Sequence, residues 1–100
     1  MASVKTYRAS DVEPDYVAHP GTLLGEELEA REMTQKALAE ALGRAPRLVG
    51  DIVRGRRPIT ADVALDLERV LGPSARMWLG LQTTYDLVQA RQRRQSQQTS

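Results

Sequence analysis

Residues 34–55 read TQKALAEALGRAPRLVGDIVRG, two short amphipathic segments on either side of a glycine. Thr34 suits the N-cap of the first segment, because its hydroxyl oxygen can accept a backbone N–H from the opening turn. Leu38 and Leu42 are one helical turn apart and share a face, with Ala41 beside them. Ala39 is small enough to let a second helix cross closely. Gly43 stands where the chain must reverse, and glycine takes a positive φ there without steric cost. Pro46 fits the first turn of the next helix, where its missing N–H is not needed. On that helix Val49, Ile52 and Val53 point toward a core. Arg47, Gly50, Asp51 and Arg54 share the opposite face.

The charge pattern bears on what the hairpin is for. From Arg44 to Arg57 five arginines stand against Asp51 alone, whereas the stretch from Glu26 to Glu32 has four glutamates against Arg31. The net charge is only +1, which excludes a globally basic coat. A local basic patch on a near-neutral domain is the footprint of a site-selective DNA binder, and the spacing predicts a helix-turn-helix. Arg47 and Arg54 are the expected base readers, because a guanidinium can grip guanine O6 and N7 together. Asp51, one turn from both, is placed to orient them or to accept from cytosine N4. Thr34, Gln35, Lys36, Arg44, Arg56 and Arg57 are assigned to phosphates, which position a protein on DNA without specifying sequence.

The rest of the chain reads as helices around this hairpin. One hundred residues make one domain. Residues 1–18 are polar and weakly periodic, a flexible arm in which Glu13-Pro14-Asp15 breaks any helix. Residues 19–90 form the folded domain. Its first helix runs from Pro20 to about Glu32 with Leu23, Leu24 and Leu28 inward. Gly55 to Ile59 is a loop, Thr60 caps a fourth helix, and Ser74 caps a fifth. Residues 91–100 read as a disordered polar tail. The fold class is all-α, a five-helix bundle containing a helix-turn-helix. Trp78, Leu81, Tyr85 and Val88 make an apolar stripe larger than a small bundle needs, which predicts a two-fold dimer interface. Such pairing sets two recognition helices ~34 Å apart and calls for a pseudo-palindromic site in double-stranded DNA.

Little else could do chemistry. Cysteine is absent, which removes disulfides and thiol metal sites and suits a cytoplasmic, nucleoid-associated protein. No apolar run approaches the ~20 residues of a membrane span, and the N-terminus lacks the pattern of a signal peptide. His19 is the lone histidine; it reads as a helix cap, and no metal or cofactor is expected. Asp62 and Asp66 read as a solvated helix face with no nucleophile beside them, so the chain is not expected to be an enzyme.

Several blocks together resemble HigA-type antitoxins, the VapI group of Xre-like, lambda-repressor-like helix-turn-helix proteins of toxin–antitoxin modules. They are HPG at 19–21, VGDIVRGRR at 49–57, ITADVAL at 59–65 and LGPSARMWLGLQ at 71–82. The resemblance implies a five-helix homodimer that represses its own operon and neutralises a HigB toxin, a RelE-like mRNase. Toxins of this kind are basic, which makes Glu26, Glu27 and Glu29, with Glu32 beyond them, candidate toxin contacts; the arm 1–18 is the other candidate. The family often has Ser-Pro where Ala45-Pro46 stands and a polar residue where Gly50 stands. Ala45 therefore offers no cap, and Gly50 no side chain for a base edge. A stand-alone or phage-type Xre repressor without a toxin is the alternative, and a protein-interaction module that has lost DNA is a third reading.

Overall fold

The computed structural model describes residues 17–98, and among them every regular element is an α-helix. These are α1 (Pro20–Ala30), α2 (Gln35–Leu42), α3 (Pro46–Val53), α4 (Ala61–Leu71) and α5 (Ala75–Gln98). The helix starts are set by side chains that satisfy first-turn N–H groups. His19 Nδ1 accepts from Gly21 N at 2.9 Å. Thr34 Oγ1 accepts from Ala37 N at 3.0 Å, and Thr60 Oγ1 from Val63 N at 3.3 Å. Ser74 Oγ accepts from Met77 N at 3.0 Å. Between α2 and α3 the chain turns at Gly43, whose φ of 72° lies in the left-handed region that glycine enters freely.

The core is made from one face of each helix. Trp78, Leu24, Leu38, Ile52, Leu67 and Val49 are the largest fully buried side chains. Val49 and Ile52 fasten α3 to the body. Full burial of such a side chain contributes about 1.5–3 kcal/mol, far more than an eight-residue helix could gain from its own hydrogen bonds. The two helices α1 and α3 meet backbone to backbone. A β-carbon at Gly21 would lie 1.7 Å from the Ile52 carbonyl oxygen, closer than any atom can stand.

Three sequence expectations change. First, α1 ends at Ala30, short of Glu32. Arg31 is its C-cap, and Glu32 takes a left-handed φ of 55° so that Met33 N can donate to Leu28 O at 2.9 Å. Second, α5 continues through Gln98 across the stretch read as a disordered tail. Glutamine and arginine favour helix, and no glycine or proline interrupts residues 81–98. Third, Trp78 and Val88 are buried within the chain at 0% and 4% exposure. They cannot pair across a dimer, because the core of the monomer already uses them. Most of the arm 1–18 lies outside the described residues; only Val17 and Ala18 fall within them.

The contact at Gly21 generates a stability test. Gly21→Ala should destabilise by at least about 1–3 kcal/mol, as over-packing does, lowering the melting temperature by about 4–8 °C for each kcal/mol. Gly80→Ala, on an exposed part of α5 with nothing near its would-be β-carbon, should instead hold or raise stability by about 0.5–1 kcal/mol. Thermal unfolding followed by circular dichroism measures both.

Candidate nucleic-acid interface

α3 shows two different faces. Val49 and Ile52 are buried, while Arg47 has its side chain 90% exposed and Arg54, at the C-cap, is exposed. Its start is capped by Ala45, which makes no side-chain hydrogen bond. Pro46 has no N–H and Leu48 N donates to Ala45 O at 3.0 Å, so the Arg47 N–H is the first-turn donor left without a side-chain acceptor among the described residues, and the positive end of the helix dipole is open. An open cleft beside that end is lined by Arg44, Ala45, Arg47, Leu48 and Arg57.

The predicted site residues fall into groups. Arg47, Arg54, Arg56 and Arg57 lie exposed on α3 or the loop after it, and Gln35 and Lys36 are exposed at the start of α2. Thr34 uses its oxygen to cap α2, which leaves the hydroxyl proton to donate elsewhere. Asp51 stands 3.9 Å from Arg47 Nε, with its side chain only 19% exposed. It is thus paired to Arg47 within α3. Arg44 differs from its expected role as an open phosphate anchor. Its Nε donates to Asp66 Oδ2 at 2.8 Å, so its charge is met inside the chain. Asp66 also lies 3.7 Å from Arg69 Nη2. The sequence reading placed Asp66 on a solvated face, and nothing local in the sequence links it to Arg44, 22 residues away.

The loop after α3 is fastened from behind. Ile59 N donates to the Gln82 Oε1 at 2.8 Å, and Gln82 Nε2 donates to Asp86 Oδ1 at 3.0 Å. His19 packs edge-on against Tyr85 with ring centroids 4.9 Å apart. Tyr85, placed by the sequence in the dimer stripe, is thus engaged at the junction of α1, α5 and the loop. Burial lowers the His19 pKa below its ordinary 6.5, against an opposing pull from the Asp86 carboxylate.

Among the described residues, five helices, with an uncapped, arginine-bearing α3 held across α2 by a tight glycine turn, define a helix-turn-helix protein of the Xre kind. The chain matches the helix-turn-helix family over residues 24–78. It is 48% identical over 79 residues to virulence-associated protein I of Dichelobacter nodosus, a match covering 78% of this chain and 73% of that protein. The structure of the Pseudomonas aeruginosa antitoxin HigA with the higBA promoter superposes with a TM-score of 0.76 at 40% identity, covering 80% of this chain and 88% of that one. An addiction-module antidote protein of the HigA family from Coxiella burnetii superposes with a TM-score of 0.75 at 37% identity, over 80% of this chain and 88% of that one. The chain belongs to the HigA-type antitoxins of the helix-turn-helix family, a family of DNA-binding regulators and not of enzymes.

The His19 environment gives a pH test. A histidine whose folded pKa is lowered binds fewer protons in the folded than in the unfolded state. Stability is then complete above pH 6.5 and declines as the pH falls below it. His19→Asn keeps an N-cap acceptor and removes the titration. Melting temperatures between about pH 7.5 and pH 5, above the carboxylate range, should fall more for the natural protein than for the variant; parallel curves would show that His19 is not the group responsible.

Proposed function

We propose that this chain is an antitoxin that binds the operator of its own operon as a two-fold dimer and neutralises a HigB-like, RelE-type mRNase toxin. The observation that carries the DNA part is the uncapped start of α3 with Arg47 exposed beside the cleft that Arg57 also lines. A phosphate seated there would meet the Arg47 backbone N–H, a helix dipole and guanidinium groups at once. Arg47 and Arg54 read bases, Asp51 orients Arg47, and Gln35, Lys36, Arg56 and Arg57 hold phosphates. The HigA relative from Pseudomonas aeruginosa was solved with promoter DNA, which supports the same use here.

The dimer surface, corrected for the burial of Trp78 and Val88, is drawn through Leu81 and Met77. These residues lie one turn apart on α5 and are each 36% exposed. The toxin surface is drawn through an open groove between α1 and the start of α2, lined by Glu26, Glu29 and Glu32 with Leu28, Met33 and Val53. Glu27 is a weaker candidate than the sequence suggested, because its carboxylate is paired with Arg31 at 3.1 Å. This groove shares no residue with the arginine-lined cleft at the start of α3, but it reaches Thr34 and Gln35 of the DNA reading, so toxin and operator would adjoin at the start of α2.

Operator binding should be steeply salt-dependent. A dimer neutralising on the order of 6–10 phosphates loses about 10³–10⁵ in affinity between ~50 and ~200 mM salt. In electrophoretic shifts with the DNA upstream of its own gene, Arg47→Ala should cost about 1–3 kcal/mol and relax base preference, whereas Arg57→Ala should weaken all sequences alike. A flat salt response, or equal affinity for unrelated DNA, refutes the proposal. For the toxin part, Glu26→Lys combined with Glu29→Lys should abolish co-purification with a toxin encoded beside this gene, while leaving the DNA shift in place. Undiminished capture by that variant would exclude the groove, and the absence of any neighbouring toxin gene would favour the stand-alone repressor.

A further inference from the structure

Gly50 lies midway along the DNA-facing side of α3, yet it is buried. Its cover includes two polar side chains of the proposed interface. A β-carbon built on Gly50 would stand 2.7 Å from Arg54 Nη1 and 3.6 Å from Arg54 Cζ, with Gln35 Oε1 at 3.3 Å. Side chains on a helix lean toward its N-terminus, over the preceding turn. Arg54 takes that course, and its guanidinium comes to rest over the bare Cα one turn back. Gln35, from the start of α2, flanks the same spot. A separation of 2.7 Å is shorter than real β-carbons show, so this seat exists only because residue 50 has no side chain.

A glycine inside a helix is normally a loss, since it costs stability and presents nothing to a partner. Here the vacancy is filled from a residue one turn later. Arg54 is the C-cap of α3. Extended, its head would lie past the end of the helix. Folded back, the head lies at the middle of the helix, where a side chain at position 50 would otherwise face a base edge.

We propose that Gly50 is a positioning residue for base recognition: it lets Arg54 supply the guanidinium that α3 presents at its midpoint, with the Gln35 carboxamide beside it. The inference rests on the DNA-binding reading given above. It makes guanine the base selected at that point, because a guanidinium pairs with O6 and N7 together.

The test uses duplexes enriched from a randomised pool by the natural protein. Dissociation constants are measured for the natural protein, Gly50→Ala, Arg54→Ala and the double variant, on the enriched duplex and on copies with each guanine replaced by 7-deazaguanine. Arg54→Ala should lose about 5- to 150-fold and become indifferent to N7 of one guanine. Gly50→Ala should lose about tenfold or more and become indifferent to the same guanine, while melting no lower than the natural protein, since only the far end of a flexible side chain must move. In the Arg54→Ala background, Gly50→Ala should change affinity by less than about twofold, because the two act through one contact. Full affinity in Gly50→Ala would overturn the inference and leave DNA binding standing. So would an equal loss in both backgrounds, which would mean that the new methyl group obstructs the DNA directly. If the natural protein enriches no sequence, the DNA-binding reading fails and this inference fails with it.

Discussion

The approach of α1 to α3 at Gly21 and Ile52 is the constraint on which the rest of the molecule depends. α3 has eight residues, too few to persist as a helix on its own. Its direction is imposed by burying Val49 and Ile52 and by resting the Ile52 carbonyl on the bare Cα of Gly21. Two residues before Gly21 stands His19, which caps α1, lies against Tyr85 of α5 and borders Gly55 at the end of α3. The entry to α1, the exit from α3 and the middle of α5 are therefore tied at one place. The arginines of the loop inherit their position from that junction, with Gln82 holding Ile59 just beyond them.

Arginines on this chain do two kinds of work. Arg31 Nη2 donates to Leu71 O at the end of α4 at 2.6 Å, and Arg69 Nη2 to Ala41 O near the end of α2 at 3.3 Å. Helix C-termini carry unsatisfied carbonyls and a partial negative charge, so both arginines sit where a cation is favourable. Arg44 joins α4 through Asp66. Counting charge along the sequence thus overstates the cationic surface: of the five arginines between 44 and 57, Arg44 is committed to the fold and Arg47 faces a carboxylate on its own helix.

Most of the fold was legible because its signals are local. Thr34, Thr60 and Ser74 act as caps within three residues of their partners, and Gly43 turns the chain by its own backbone freedom. What could not be read were consequences of residues distant in sequence. An apolar stripe on α5 looks the same in sequence whether it meets a second chain or its own core, and only the fold shows that Trp78 faces inward. Asp66 and Arg44 meet because α4 folds past the turn between α2 and α3. Gly50 read as an empty position because the chain pattern does not show that Arg54 folds back over it. The end of α5 differs for another reason: polarity argued for a tail, while the helix propensity of glutamine and arginine carries the helix on to Gln98.

The division of α3 into a packed face and an open one has a consequence for descent. Residues 49 and 52 are locked by the core, and residue 21 of α1 by the backbone it touches, so change there is punished in the fold. Residues 47 and 54 meet no such barrier, and their substitutions leave the scaffold intact. On the DNA reading proposed above, duplicated copies of such a gene can drift apart in the DNA they recognise while keeping one architecture, and two copies in one cell can become insulated from each other by a few exposed replacements on a single short helix.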